Sequence, residues 1–149
     1  MSSSSNIIND QLPVRFLDKH SILPKRGTEH SAGLDLFSAI DISIPRRNRR
    51  LVSTGISVQL PDGSYGQVAA RSSMAVKGID VGAGVIDSDY RGEIKVLLVN
   101  NTDSDYQVYV GDKIAQLIVL PYIRYLVPIQ VSTLDETQRG NGGFGSTGN

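Results

Sequence analysis

The chain has no cysteine and no tryptophan, and aromatic residues make up only 6% of its 149 residues. The missing thiols exclude disulfide bonds, thiolate metal sites and a cysteine nucleophile. Fifteen basic and fifteen acidic residues cancel to zero net charge, whereas proteins that grip a nucleic-acid backbone usually carry a clear positive excess. We therefore expect no nucleic-acid partner, although a local cluster of basic residues can bind a small anion without any net charge.

Long apolar runs are also lacking. The most apolar region, residues 114–131, is interrupted by Gln116, Pro121, Arg124 and Pro128, so it predicts no membrane span and no membrane partner. The first residues, Met-Ser-Ser-Ser-Ser-Asn, contain no apolar signal-peptide core. The expected location is therefore intracellular, cytoplasmic or nuclear, and not secreted.

Short stretches of β-forming residues punctuated by glycine and proline predict an all-β fold, a distorted jelly-roll sandwich or barrel. The expected strands span residues 12–17, 50–60, 65–70, 106–110 and 114–120, with one or two more within 122–131. One short helix is predicted at residues 72–77, closed by Gly78. We expect a disordered arm at residues 1–10, one β domain at residues 11–134 and a mobile tail at residues 135–149.

Residues 84–95 read Gly-Val-Ile-Asp-Ser-Asp-Tyr-Arg-Gly-Glu-Ile-Lys and predict a β-hairpin with a polar tip. Asp87 and Asp89 would point to the same side, because side chains alternate along an extended segment. Either these carboxylates accept backbone N–H bonds in a surface turn, or they carry chemistry. The residues of this stretch alone favour the turn.

Two other segments could bind phosphate. Arg71-Ser72-Ser73 precedes the predicted helix, where N–H groups and hydroxyls suit an anion, although a serine there more often only caps the helix. In the tail, residues 139–148 include five glycines in ten residues, with Arg139 for phosphate and Phe144 for stacking on a base. The arginines at positions 46, 47, 49 and 50 are interpreted as a solvated turn rather than a nuclear-import or phosphate patch.

Five segments, in order, resemble the motifs of the trimeric deoxyuridine triphosphate nucleotidohydrolases (dUTPases). They are residues 32–36 (Ala-Gly-Leu-Asp-Leu), 71–73, 84–92, 111–118 (Gly-Asp-Lys-Ile-Ala-Gln-Leu-Ile) and 139–148. The likeness extends from about residue 12 to the end of the chain, and Ala70 stands where proline or glycine is more usual in the family.

The resemblance implies a homotrimer of jelly-roll subunits, with active sites at subunit interfaces and a tail that closes over a neighbour's site. The implied reaction is hydrolysis of dUTP to dUMP and pyrophosphate, with Mg²⁺ held by the triphosphate. Such a reaction limits uracil incorporation into DNA and supplies dUMP for dTMP synthesis.

The resemblance also assigns roles to individual residues. Asp87 is the implied base for the attacking water, and Asp35 is the implied metal contact, through water. Tyr90 is expected to pack on the sugar and exclude a ribose hydroxyl. The remaining implied substrate contacts are Arg71, Ser72, Ser73, Gln116, Arg139, Ser146 and Thr147 at phosphate, Phe144 on the uracil with Gly145 beside it, and Gly84, Val85, Ile86 and Lys95 around the uracil edge.

Two alternatives remain at this point. A dCTP deaminase, or a bifunctional deaminase and dUTPase, belongs to the same fold superfamily but needs a different catalytic set around the base. A catalytically silent nucleotide-binding module is the other alternative, and the joint presence of Asp87, Gln116, Arg139 and Phe144 argues against it.

Overall fold

The computed structural model describes residues 10–145, so the predicted arm at residues 1–10 lies almost wholly outside the described part. Within that part the chain forms twelve strands and one short helix. The elements are β1 Val14–Phe16, β2 Lys25–Arg26, β3 Leu34–Phe37, β4 Ile42–Ile44, β5 Arg49–Ser53, β6 Ile56–Val58, β7 Ser64–Ala69, α1 Ser72–Ala75, β8 Ile79–Gly82, β9 Val85–Ile86, β10 Lys95–Asn100, β11 Tyr106–Val108 and β12 Lys113–Pro121.

All strand pairs are antiparallel, and they form four sheets that enclose one core. The orders are β2-β3-β12-β7-β9, β5-β10-β8, β1-β6 and β11-β4. Every sheet contributes to the same buried cluster, whose largest fully buried members are Leu36, Ile44, Ile56, Ile94, Leu98, Ile114 and Leu117. Each such side chain stabilises the fold by about 1.5–3 kcal/mol. The predicted all-β architecture with one short helix is confirmed.

Asn100 is a polar residue of the core whose side-chain nitrogen and oxygen both have hydrogen-bond partners. Asn100 is fully buried, and its amide nitrogen donates to the carbonyls of Ile44 at 3.0 Å and Ser104 at 2.9 Å. Its side-chain oxygen accepts from the backbone N–H and the hydroxyl of Thr102. A buried amide without these partners would cost about 1–3 kcal/mol, so Asn100 fixes the connection that follows β10.

The largest sheet has a buried inner face and a half-exposed outer face. In β7 the residues Ser64, Gly66 and Val68 are buried, whereas the alternate residues are half-buried. Register places Asp35 of β3 opposite Gln116 of β12, and Gln116 opposite Ala69 of β7. Directly paired residues share a face, so these three side chains form a row across the outer face.

The strand predicted at residues 50–60 is broken in two. Thr54 and Gly55 separate β5 from β6, and Gly55 has a φ of +70°, a conformation that favours glycine. The Gly55 carbonyl accepts bonds from Leu17 N at 2.7 Å and from the Ser21 hydroxyl at 2.6 Å. The bend redirects the chain from the three-stranded sheet to the β1-β6 pair.

The hairpin predicted at residues 84–95 is wrong in its strand pairing. β9 pairs with β7, whereas β10 pairs with β5 and β8. The polar segment between β9 and β10, residues 87–94, is too long for a tight hairpin turn, whose loops are usually 2–5 residues. Each flanking strand therefore joins a different sheet, and the segment crosses from one sheet to the other.

The strands predicted within residues 122–131 are also wrong. All of these residues are exposed and none belongs to a strand. Most of their apolar side chains are largely exposed, with Leu126 73% and Ile129 78% exposed. Helix α1 ends at Ala75, two residues earlier than predicted. No helix within residues 10–145 has the length and apolarity needed to cross a membrane.

Candidate active site

One part of the candidate site is the outer-face row on the five-stranded sheet. The Gln116 amide donates to the Ala70 carbonyl at 3.0 Å, and this bond joins β12 to the residue just before Arg71. Gly33 makes room for it, because a Cβ at position 33 would lie 2.4 Å from the Gln116 side-chain oxygen. Glycine is therefore required at position 33 because the Gln116 side chain lies against it.

Asp35 carries the only carboxylate of this row and faces two cations. Its side chain is 18% exposed, with Arg71 Nε at 4.0 Å from one oxygen and Lys113 Nζ at 3.6 Å from the other. Arg71 Nη1 also donates to the Lys113 carbonyl at 3.4 Å. Asp35 thus holds two positive charges beside Gln116, an arrangement that suits an anionic ligand.

Lys113 was missed by the sequence reasoning, which named Gln116 from the same segment. It lines a cavity of about 410 Å³ together with Arg71, Ser73, Lys77 and Asp112. Its position directly after Gly111-Asp112, at the start of a strand that carries Gln116, was the available signal. Because Lys113 lines the same cavity as Arg71, it is a further candidate for binding an anion there.

Ser72 and Ser73 are exposed at the first turn of α1. The alternative that one of them caps the helix is not observed. The N-cap position is Arg71, in extended backbone geometry and without a side-chain capping bond. Both hydroxyls therefore stay available beside the Arg71 guanidinium.

Asp87 follows β9 and lies where three cavities meet. The cavities have volumes of about 210, 370 and 530 Å³, and Asp87 lines all of them. Its side chain is exposed, and within residues 10–145 neither the Asp87 nor the Asp89 carboxylate accepts a hydrogen bond. The turn interpretation, in which both carboxylates accept backbone N–H bonds, is therefore not observed, and Asp87 is free to act on a ligand.

Tyr90 is folded back over its own loop. Its N–H donates to the Asp87 carbonyl at 3.1 Å, and its hydroxyl donates to the Glu93 carbonyl at 2.7 Å. A Cβ on Gly92 would lie 2.5–2.8 Å from Tyr90 ring and hydroxyl atoms, so only glycine allows this packing. Tyr90 and Asp87 consequently face one cavity.

That smallest cavity lies between β9 and the beginning of β10. Val85, Ile86 and Lys95 line it with Asp87 and Tyr90. Gly84 precedes it with a φ of +107°, and its carbonyl accepts from Val68 N at 2.8 Å. Because β9 is the last strand of its sheet, the backbone edge of Val85–Ile86 opposite β7 carries no further strand in the described chain.

The start of the C-terminal segment is attached beside Asp87. The Tyr122 and Tyr65 rings meet edge to face with centroids 6.0 Å apart, and Arg124 forms an ion pair with Asp62 at 2.5 Å. Tyr122 and Asp87 line two of the same cavities. The segment therefore leaves the sheet at the candidate site.

The predicted tail residues are not brought to Asp87 within the single chain. Arg139 Nε donates to the Gly142 carbonyl at 2.7 Å, and the Phe144 side chain is fully exposed. Gly145, next to Phe144, is exposed as well. Ser146 and Thr147 lie outside the described residues. Neither Arg139 nor Phe144 lines a cavity that Asp87 lines.

The arginines around the β4–β5 turn are surface residues. Arg47 pairs with Asp103 at 2.9 Å and Arg46 with Asp105 at 3.9 Å, and all four arginines are exposed. Aspartates already oppose two of the charges, which supports the surface interpretation.

The donor set suits a magnesium ion carried by a phosphate ligand rather than one held in a protein cage. No group of three or more His, Cys, Asp or Glu side chains that could hold a metal is found within residues 10–145. Mg²⁺ usually keeps several waters and is bound through one or two carboxylates together with substrate phosphates. Asp35 supplies one half-buried carboxylate beside the phosphate-binding candidates, which fits binding of Mg²⁺ through a carboxylate together with substrate phosphates.

Comparison with known proteins identifies the family. The sequence model of the dUTPase family matches residues 19–148 of this chain. The chain belongs to the dUTPase family. A deoxyuridine 5'-triphosphate nucleotidohydrolase of Arabidopsis thaliana is 49% identical over 136 residues, covering 91% of this chain and 81% of the relative. A mitochondrial deoxyuridine 5'-triphosphate nucleotidohydrolase of Dictyostelium discoideum is 49% identical over 136 residues, covering 91% of this chain and 75% of the relative.

Solved dUTPase structures share the fold. A mutant of the Staphylococcus bacteriophage 80alpha dUTPase with dUpNHpp superposes with a TM-score of 0.88 at 25% identity, covering 95% of this chain and all of that one. A mutant dUTPase from phage phi11 of S. aureus, described with a structural Mg(II) ion, superposes with a TM-score of 0.78 at 25% identity. The match covers 85% of this chain and all of that one. The predicted distorted jelly roll is confirmed.

Proposed function

We propose that this protein hydrolyses dUTP to dUMP and pyrophosphate, which limits uracil incorporation into DNA and supplies dUMP for dTMP synthesis. The observation that carries the proposal is the placement of Asp87. In a chain of the dUTPase family, this free carboxylate lies at the junction of three cavities, in the segment Gly-Val-Ile-Asp-Ser-Asp-Tyr-Arg-Gly.

Asp87 acts as the base in this proposal. Its carboxylate orients a water toward the α-phosphorus and takes a proton from it as the P–O bond forms. The bond to the pyrophosphate oxygen then breaks, so dUMP retains the α-phosphate. A carboxylate is a weak base, and positioning with charge stabilisation supplies most of the acceleration.

The cations around Asp35 receive the triphosphate. Arg71 and the hydroxyls of Ser72 and Ser73 bind phosphate oxygens, with Gln116 beside them on the sheet. Asp35 would contact, through water, a Mg²⁺ ion that the triphosphate carries, and such an ion would neutralise phosphate charge. Asp35 has a second role that its contacts support, because its two oxygens hold Arg71 and Lys113 in position.

The small cavity between β9 and β10 receives the deoxyuridine. Backbone groups near Gly84 and Lys95, with Val85 and Ile86 lining the cavity, pair with the uracil edge. Cytosine would leave buried polar groups unpaired. Tyr90 packs on the sugar, and a ribose 2′-hydroxyl would collide with its ring. The geometry that supports this is the ring folded over Gly92, facing the same cavity as Asp87.

A homotrimer completes the site in the proposal. The segment 122–134 exposes a run of apolar side chains, including Ile123, Tyr125, Leu126, Val127, Ile129 and Leu134, and a surface of this kind marks a protein–protein interface. We propose that it packs on neighbouring copies of the β domain, residues 11–134. The tail, residues 135–149, then acts as a lid that brings Arg139 and Phe144, with Gly145, Ser146 and Thr147, to a neighbour's nucleotide.

An intracellular location, where nucleotides are made and used, is part of the same proposal. One relative is named as mitochondrial, and fractionation of the source cells tests the cytoplasmic or nuclear assignment.

The experiment that tests the function measures pyrophosphate release from dUTP, dCTP, dTTP and UTP side by side with Mg²⁺. The wild type is expected to release pyrophosphate from dUTP far faster than from the other three. Asp87→Asn keeps the shape of the side chain but is expected to lose about 10²- to 10⁴-fold in rate. Ammonia release from dCTP would instead indicate a deaminase, and dUTP binding without pyrophosphate release would indicate a silent module.

A further inference from the structure

Glu93 has a role that neither the motifs nor the proposed chemistry assigns. It lies between the Tyr90 loop and β10, and its side chain is half-buried. One carboxylate oxygen accepts bonds from the Ser53 hydroxyl and from Gly55 N, the latter at 2.9 Å. Its backbone carbonyl accepts the Tyr90 hydroxyl at 2.7 Å. One residue therefore contacts both the β5–β6 bend and the ring that faces the cavity.

The bend to which Glu93 is attached is held in place by several contacts. Gly55 accepts bonds from Leu17 N and from the Ser21 hydroxyl through its carbonyl. A Cβ at Gly55 would lie 2.5 Å from the Ser21 hydroxyl oxygen and 3.3 Å from the Ala39 Cβ. The chain has no space to shift there, so the Gly55 N–H points at the Glu93 carboxylate from a fixed position.

We infer that Glu93 is a positioning residue that fixes Tyr90 over the cavity and thereby sets discrimination between deoxyribose and ribose. The inference rests on the proposed function. Hydrogen bonds to a charged acceptor are stronger than those between neutral groups, so the carboxylate holds the position of its own backbone. The Glu93 carbonyl in turn fixes the Tyr90 hydroxyl, and the ring stays where a 2′-hydroxyl would meet it.

The start of β10 is also attached to the bend by bonds that do not involve this side chain. Ile94 N donates to the Ile56 carbonyl at 2.8 Å, and the Thr54 hydroxyl donates to the Ile94 carbonyl. These bonds attach the next residue to the same bend without using the carboxylate. Removing the carboxylate should therefore loosen the loop at residues 90–93 while β10 keeps its place.

The test compares kcat/KM for dUTP and for UTP in the full-length wild type, Glu93→Gln and Glu93→Ala. For Glu93→Ala the preference for dUTP over UTP is expected to fall roughly tenfold to a hundredfold, because two hydrogen bonds to a charged group are lost. Glu93→Gln retains an acceptor oxygen, so its preference for dUTP over UTP should lie between that of the wild type and that of Glu93→Ala. The matched control is Asp103→Asn, a carboxylate change at an exposed turn, which should leave the preference unchanged.

Tyr90→Phe provides the second arm, because it removes the hydroxyl that donates to Glu93. Tyr90→Phe should also lower the preference for dUTP over UTP. Glu93→Ala should lower that preference less in the Tyr90→Phe background than it does in the wild type. Equal losses for dUTP and UTP in Glu93→Ala, or no loss, would overturn the inference. A wild type that releases no pyrophosphate from dUTP would instead overturn the proposed function itself. Circular dichroism melting curves confirm that each variant is folded.

Discussion

Residues 10–121 and residues 122–145 differ in where their apolar side chains lie. In the first part, strands of four sheets bury a common core around Leu36, Val96 and Leu117. In the second part no strand forms among the described residues, and side chains as apolar as Leu126 and Ile129 are largely exposed. The first part therefore buries its apolar side chains within one chain, whereas most apolar side chains of the second part lack a burying surface in the described chain.

The same division separates the candidate site residues. Asp87, Tyr90, Arg71 and Gln116 are positioned by the first part, through bonds within one chain. Arg139 and Phe144 belong to the second part, where Arg139 bonds to the Gly142 carbonyl and the Phe144 side chain is fully exposed. A single chain therefore supplies the cavity and the residues proposed to bind phosphate, and the proposed assembly supplies the closure.

The largest expected effect comes from destroying the surface of the second part. Leu126→Glu combined with Ile129→Glu places two charges where a neighbouring copy is proposed to pack. Each buried side chain is worth about 1.5–3 kcal/mol, so the assembly should weaken roughly 10²- to 10⁴-fold per chain. Light scattering after size-exclusion chromatography should show the trimer dissociating, with loss of dUTP turnover.

The matched control adds the same charges to the same segment without removing apolar area, as in Gln130→Glu combined with Ser132→Glu. This variant should stay trimeric. A trimeric and active Leu126→Glu/Ile129→Glu variant would show that the exposed surface is not the interface.

The next effect concerns the tail. Deleting residues 139–149 removes Arg139 and Phe144 but leaves segment 122–134, so the trimer should remain intact by light scattering. Turnover of dUTP should fall about a hundredfold or more, because the triphosphate is no longer fully positioned. Turnover close to that of the full-length chain would refute the lid.

A smaller effect tests the preformed part. Gly33→Ala places a Cβ 2.4 Å from the Gln116 amide oxygen and 2.9 Å from its Cβ. Gln116 must then move away from the Ala70 carbonyl. Overpacking of this kind costs about 1–3 kcal/mol of stability, and KM for dUTP should rise about tenfold as a phosphate contact is displaced.

Gly27→Ala is the control for Gly33→Ala, because a Cβ at Gly27 would meet its neighbours at ordinary distances of 3.6 and 3.7 Å. It should change neither the melting temperature nor KM appreciably. An unchanged KM in Gly33→Ala would remove Gln116 from the phosphate site.

The smallest expected effect lies far from the site. The Arg47 guanidinium, by its hydrogen bond first and its charge second, lowers the pKa of Asp103. A carboxylate with a lowered pKa in the fold adds stability above its unfolded pKa of about 4, and this stability is lost as pH falls through the folded pKa. Asp103→Asn should therefore melt slightly below the wild type at pH 7, and the difference should vanish in acid. A difference that grew in acid would contradict this sign.

The sequence predicted the all-β class and most strands, because alternation and glycine or proline breaks are local signals. It also named Asp87, Tyr90, Arg71 and Gln116, through motifs that specify a family. It did not predict that β9 and β10 join different sheets, since a strand's partner depends on distant segments. It also missed the Gly55 bend, where a left-handed residue divides an otherwise continuous β pattern.

Residues 122–131 misled the sequence reasoning for a related physical reason. Apolar β-branched residues in sequence indicate burial, but they do not say in which chain the burying surface lies. Lys113 was missed because its importance comes from its distance to Asp35, and that distance depends on how β3 and β12 pair.

The row formed by Asp35, Gln116 and Ala69 also connects accuracy of folding with activity. A slip of β12 by one residue would turn Gln116 into the interior and Leu117 out to solvent. The misfolded product would then be unstable and also unable to hold a triphosphate. Because the alternation that fills the core also orients the amide, a chain that has packed correctly has assembled its proposed phosphate contacts in the same event.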